Sequence, residues 1–269
     1  IAKGTFSFGL LIFLTLLALV PAIRWASGAS TTLSANNILI WMAALTFLLR
    51  MGTAVGTYTL LPIDGYYETD DFNGFVFTDA HNRDLQAWRL ADIDRSIWDA
   101  FDKKYSTDQY GGLLALMAFI YRYLSLDFQR PLLLASFSAL VATLALPFMW
   151  KSITRLFGEK VALISCWIFV LYPESILLGS AAMREPYLMT FSAMALWGFV
   201  DWQSSPESRV GRAFFSPISR PREIHPNDSD GLDAPLENRS RLLDHRIMPW
   251  LWLAIAFAGM ALVSPAVIT

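Results

Sequence analysis

Long apolar runs alternate with shorter polar stretches along the chain, and most of the runs have membrane-spanning length. Residues 5–22, 38–61, 131–150, 161–181, 186–202 and 249–268 each read as a transmembrane helix, because about 20 apolar residues cover the hydrocarbon core of a bilayer. Only Lys3 precedes the first run and the small-residue cleavage signal after it is poor, so that run reads as a span rather than a signal peptide. Residues 111–124 are equally apolar but short for a span. The pattern predicts an all-α fold, a polytopic membrane helical bundle.

Two polar stretches interrupt the runs. Residues 62–130 form a large first loop, acidic and rich in aromatics. Within it Ile93, Ile97 and Phe101 recur at helical spacing beside Trp98, which predicts a short amphipathic helix lying on the bilayer. Residues 203–248 are rich in Pro, Ser, Asp and Arg and are expected to be largely disordered. The chain begins without Met and stops inside an apolar run, and it reads as a piece of a longer protein.

Charge sets the expected sidedness. Lys151, Arg155 and Lys160 fill one connection, and Arg209, Arg212, Arg220, Arg222, Arg239, Arg241 and Arg246 fill another. Short loops rich in Lys and Arg stay in the cytoplasm. Two spans separate these loops, so the assignments agree. If 111–124 is half-embedded and does not cross, the acidic loop 62–130 faces outward, and the protein is expected to be a multi-pass protein of the plasma membrane with an extracytoplasmic working face.

Composition agrees. Of 269 residues 55% are hydrophobic and 16% charged, against roughly 25% charged in a soluble domain. Cys166 is the single cysteine, which excludes an intrachain disulfide. No Gly-rich phosphate loop, GxSxG elbow or CxxC pair is present. An acidic outward face repels phosphate backbones, which argues against nucleic acid as a partner.

Under that topology two charged groups meet at the outer face. One is the loop, where Thr78 or Asp79 is placed to cap a helix through 78–88. His81 is a candidate base or ligand, although His225 and His245 fall in the opposite loop, which argues against a histidine zinc site. Asp70 and Asp71 are solvated turn acids or metal ligands. The other group is the turn Ala181-Ala182-Met183-Arg184-Glu185-Pro186, whose bland reading is an interfacial ion pair before a helix-starting proline.

At Asp79 and Glu185 the order of elements resembles the GT-C-type membrane glycosyltransferases, in particular the lipid A aminoarabinose transferases and protein O-mannosyltransferases. The stretch Phe77-Thr78-Asp79-Ala80-His81 through Ala87-Trp88 is similar to the acidic motif of their first outer loop, with Ala80 where a second acid often stands. Leu49-Arg50, Arg155-Leu156-Phe157-Gly158, Tyr172-Pro173 and Glu185-Pro186 resemble other landmarks in the same order. The resemblance covers roughly residues 38–202. It implies transfer of a sugar from a polyprenyl-phosphate donor to a hydroxyl on a glycan, lipid or protein, within a shell of membrane lipids. By that resemblance Asp79 is the base or acceptor-positioning carboxylate, and Glu185 binds the acceptor, holds a metal or orients Arg184. Arg184, Arg83 and Arg50 are expected on the lipid phosphate, with His81 and Asp84 as further substrate contacts. A divalent metal ion is a possible cofactor, with Asp79, Glu185, Asp70 and Asp71 as its candidate ligands. Two other readings remain open: a membrane scaffold or sensor, and a lipid or solute transporter, for which charges or broken helices near mid-membrane would speak.

Overall fold

The computed structural model describes residues 19–26, 33–65, 74–92, 96–102, 111–125, 128–203 and 236–263. Every regular element among them is helical. We number the α-helices α1 (Leu33–Asp64), α2 (Thr78–Leu90), α3 (Gly111–Leu124), α4 (Pro131–Phe157), α5 (Glu159–Leu171), α6 (Pro173–Ser180), α7 (Glu185–Gln203) and α8 (Leu236–Val263). A 3-10 turn, Ile97–Phe101, lies between α2 and α3. Two helices are long and apolar enough to cross a membrane, Asn37–Asp64 within α1 and all of α4. A third crossing is present if α5 and α6, which meet at 56°, count as one.

The centre of the assembly is α4. Its apolar window is 72% buried, against 33% for that of α1. Pro131 opens the helix at its first position, where a missing N–H costs nothing. Gly158 ends it with a φ of +89°, so that one residue connects α4 to α5. α1 and α5 pack on one side of α4, around Met42, Leu146, Cys166 and Val170. α7 and α8 pack on another, around Phe148, Trp197, Ala256 and Met260. α4 and α7 run in the same direction: Phe137 faces Tyr187 at 6.4 Å, Thr190 donates to the Val141 carbonyl, and Arg155 pairs with Asp201 at 2.8 Å. Three threonines of α1 satisfy their own hydroxyls, since Thr46, Thr53 and Thr59 each donate to the carbonyl four residues back.

Several boundaries differ from those read in the sequence. Residues 1–18 of the first run lie outside the described residues, and 19–26 are helical. The run 131–150 continues as helix to Phe157, so Lys151 and Arg155 sit on α4 and not in a loop. Lys151 Nζ lies 3.5 Å over the Trp25 ring. The run 161–181 is two helices, because Pro173 has no N–H to continue the ladder and the chain bends there. α8 begins at Leu236, inside the stretch expected to lack order, while 204–235 and 264–269 lie outside the described residues. Ile93 is likewise outside them, and Ile97 and Phe101 belong to a 3-10 turn capped by Ser96 in place of a longer amphipathic helix.

α3 and α8 touch closely. A Cβ at Gly112 would strike the Leu262 carbonyl oxygen and lie 2.6 Å from Leu262 Cγ. Backbone cannot turn aside as a side chain can. Gly112→Val is therefore expected to destabilise the folded protein by about 1–3 kcal/mol, measured as a lowered unfolding midpoint in detergent. An unchanged midpoint would show that this contact does not hold the two helices together.

Candidate functional site

α2 carries the polar sequence TDAHNRDLQAWRL, yet one face of it is buried: Ala80, Arg83, Asp84, Ala87 and Leu90. Their spacing of three and four residues puts them on one side of the helix. That side docks on α3, where Ala87, Leu90, Leu114, Met117 and Tyr121 share a core. Two α3 side chains then fasten α2 by polar bonds. Arg122 donates to the carbonyls of Leu90 (2.9 Å), Ala91 (3.1 Å) and Asp92 (2.6 Å), closing the C-terminal end of α2. The Tyr121 hydroxyl donates to one oxygen of Asp84, and the Gln129 amide donates to the other.

Asp84 is fully buried. Burial pushes its carboxyl above the ordinary value of 3.8, with the Tyr121 and Gln129 bonds opposing the shift. The consequence for stability has a definite sign. Below pH 3.8 the acid is protonated both folded and unfolded; as pH rises towards the higher folded value, the unfolded chain releases its proton first and stability falls. The unfolding midpoint of wild type should therefore drop relative to that of Asp84→Asn as pH rises from 3.8. A difference that stays constant with pH would refute this.

The same buried side of α2 also reaches the α6–α7 turn. Arg83, only 3% exposed, donates from Nη1 to the Ala182 carbonyl at 3.2 Å. Asp79 stands one turn before Arg83, exposed and in the first turn of the helix. The N-cap is Phe77, with no side-chain cap bond, so neither Thr78 nor Asp79 has the capping role that their position in the sequence offered. The Asp79 carboxylate is left with a solvent-facing position beside a positive helix end. In the turn, Arg184 Nε pairs with Glu185 Oε1 at 3.3 Å. Glu185 Oε2 is buried and finds no hydrogen-bond partner among the described residues.

These elements enclose a mostly apolar cleft. α1 contributes Thr57 and Tyr58, the start of α2 Phe77 and Ala80, the start of α4 Pro131, and the α6–α7 turn Ala182. Gly74 has a φ of +76° and lies against Tyr58, where a Cβ would come within 2.8 Å of the Tyr58 carbonyl oxygen. Only glycine admits this approach.

The structure thus joins Arg83 to the turn bearing Arg184 and Glu185, with Asp79 one helical turn away. It does not bring every expected residue there. Asp84 is turned inward to Tyr121 and Gln129, so it anchors α2 and presents no oxygen to a substrate. His81 stacks on Phe75 at 4.8 Å. Arg50 is fully buried in α1 against α6, bonded to Ser175, and offers no atom to an outer-face phosphate. Asp70 and Asp71 lie outside the described residues. Among the described residues no three His, Cys, Asp or Glu side chains cluster to hold a metal. Sequence reasoning missed Tyr121, Arg122 and Gln129 as the supports of α2; a Tyr-Arg pair inside an otherwise apolar helix was the available signal. Compared with protein-family models, curated proteins and solved structures, the chain matches none of them.

Proposed function

We propose that this chain is a multi-pass membrane glycosyltransferase of the GT-C type, moving a sugar from a polyprenyl-phosphate donor to an acceptor hydroxyl at the extracytoplasmic face of the plasma membrane. The observation that carries the reading is the Arg83–Ala182 bond. It couples the helix bearing Asp79 to the turn bearing Arg184 and Glu185, two polar groups far apart in sequence at one end of an apolar bundle.

The chemistry follows from the groups present. Asp79, exposed in the first turn of α2, takes the proton of the acceptor hydroxyl as its oxygen attacks the anomeric carbon. The bond from that carbon to the donor phosphate breaks, and the phosphate leaves with the electron pair. Arg184 stabilises the departing phosphate, assisted by Arg83 from the side of α2. Glu185, with one oxygen on Arg184 and the other unpartnered, orients Arg184 and receives the acceptor.

The test is direct. The purified chain in proteoliposomes is given radiolabelled mannosyl and aminoarabinosyl polyprenyl phosphates with candidate glycan, lipid and peptide acceptors. Label moving from lipid to acceptor supports the reading; label that stays on every donor with every acceptor removes it. A second reading, a lipid or solute transporter, draws on one observation: the break between α5 and α6 lies beside the buried Arg50. It predicts transbilayer movement of the intact donor with no sugar transfer in the same vesicles.

A further inference from the structure

We infer that Arg50 is a positioning residue, a clamp that holds the broken α5–α6 segment against α1 and so fixes the turn carrying Arg184 and Glu185. The importance of that turn rests on the transferase reading; the clamp itself does not.

Arg50 lies at the middle of the apolar stretch Asn37–Asp64 and is completely buried. A cation at such a position is costly unless something compensates it. Among the described residues no carboxylate reaches it. Its partners are the Ser175 hydroxyl, 2.6 Å from Nη2, the Thr46 carbonyl, 3.3 Å from Nη1, and the Phe169 ring, 5.0 Å below the guanidinium. Phe169 is near the end of α5 and Ser175 near the start of α6, so the two lie on opposite sides of the break. Pro173 cannot donate the backbone bond that would otherwise cross this point. Arg50 bridges it from the neighbouring helix.

Gly179 shows how closely the side chain is held. A Cβ there would collide with Arg50 Nε and stand 2.7 Å from Cδ. Ser175 and Gly179 are one turn apart on α6, small residues that form a groove in which the arginine lies. One residue beyond Gly179 the helix ends, and the turn to Glu185 begins. α6 also packs on α4, and the turn after it is held at Ala182 by Arg83, but Arg50 is the side chain that touches both sides of the 56° bend. The alignment of α6, and with it the direction of the turn, responds to this clamp.

The experiment uses the full chain with Cys166→Ser as background and one introduced cysteine at a time. Met183→Cys reports on the turn, and Asn82→Cys reports on the exposed side of α2. Labelling rates with a charged maleimide are measured in detergent. Gly179→Ala and Arg50→Ala should each change the rate at position 183 severalfold and leave position 82 unaltered. Gly179→Ala added to Arg50→Ala should have no further effect, because the new Cβ then has no guanidinium to displace. Unchanged labelling at 183 in both variants overturns the inference. Equal changes at both reporters also overturn it, since they mark general loss of fold. In the transfer assay a clamp predicts that loss of activity in Arg50→Ala comes with altered labelling at position 183; a raised donor KM with unaltered labelling would make Arg50 a phosphate ligand instead. Labelling needs no substrate, so it can succeed or fail independently of the transferase reading.

Discussion

Asp79→Asn is expected to insert and fold like wild type but, under the transferase reading, to transfer sugar about 100- to 10,000-fold more slowly, the range over which a positioned general base acts. Asn keeps the size of the side chain and its place in the first turn of α2, and Asp79 makes no cap bond that the change would break. What is lost is the ability to accept a proton. The loss should fall on turnover and not on donor KM, because the base acts on the acceptor hydroxyl and not on the lipid. Arg83→Gln is expected to give a contrasting pattern, lower turnover together with a lowered unfolding midpoint, since it removes the guanidinium that joins α2 to the Ala182 carbonyl of the turn. Full activity in Asp79→Asn would dismiss this residue as the base.

Asp84→Ala is expected to destabilise the docking of α2 on α3 by about 3 kcal/mol. The carboxylate is fully buried and accepts from Tyr121 and Gln129 at once. Its removal leaves a hydroxyl and an amide donor inside the protein without acceptors, and each such orphan is costly. Asp84→Asn should be far milder, because its amide oxygen still receives Tyr121 and a rotated Gln129 amide can accept from its nitrogen. Thermal unfolding of the three proteins in one detergent decides the matter, and equal midpoints for the Ala and Asn variants would refute the role assigned to these bonds.

Much of the helical framework was legible because hydropathy alone determines it. The apolar runs at 38–61 and 111–124 correspond to α1 and to α3, whose ends match the run. The interruption at Pro173 was hidden inside a continuous apolar run, although Tyr172-Pro173 was visible as a pair. The start of α8 was invisible for the opposite reason, since Leu236–Met248 is polar and hydropathy carries no signal for a polar helix. Within the site, Asp79 and Asp84 looked alike as loop acids. Their fates differ by the rotation of α2. Ala80, Ala87 and Leu90 define the buried face, and Asp84 falls among them at helical spacing while Asp79 does not. That distinction was present in the sequence once the helix was granted, but the partners Tyr121 and Gln129 come from elements whose docking no local pattern reveals.

The shared direction of α4 and α7 has an electrostatic consequence at the cleft. α2 starts there at Thr78, α4 starts there at Pro131, and α7 starts three residues after the cleft-lining Ala182. Each helix start acts as about half a positive charge within its first turn. The first turns of α2 and α7 carry Asp79 and Glu185, acids placed where such partial charges favour them, whereas the first turn of α4 carries none. Under the transferase reading, the N–H groups of these helix starts stand beside Arg184 at the end of the bundle where the donor's singly charged phosphodiester would bind.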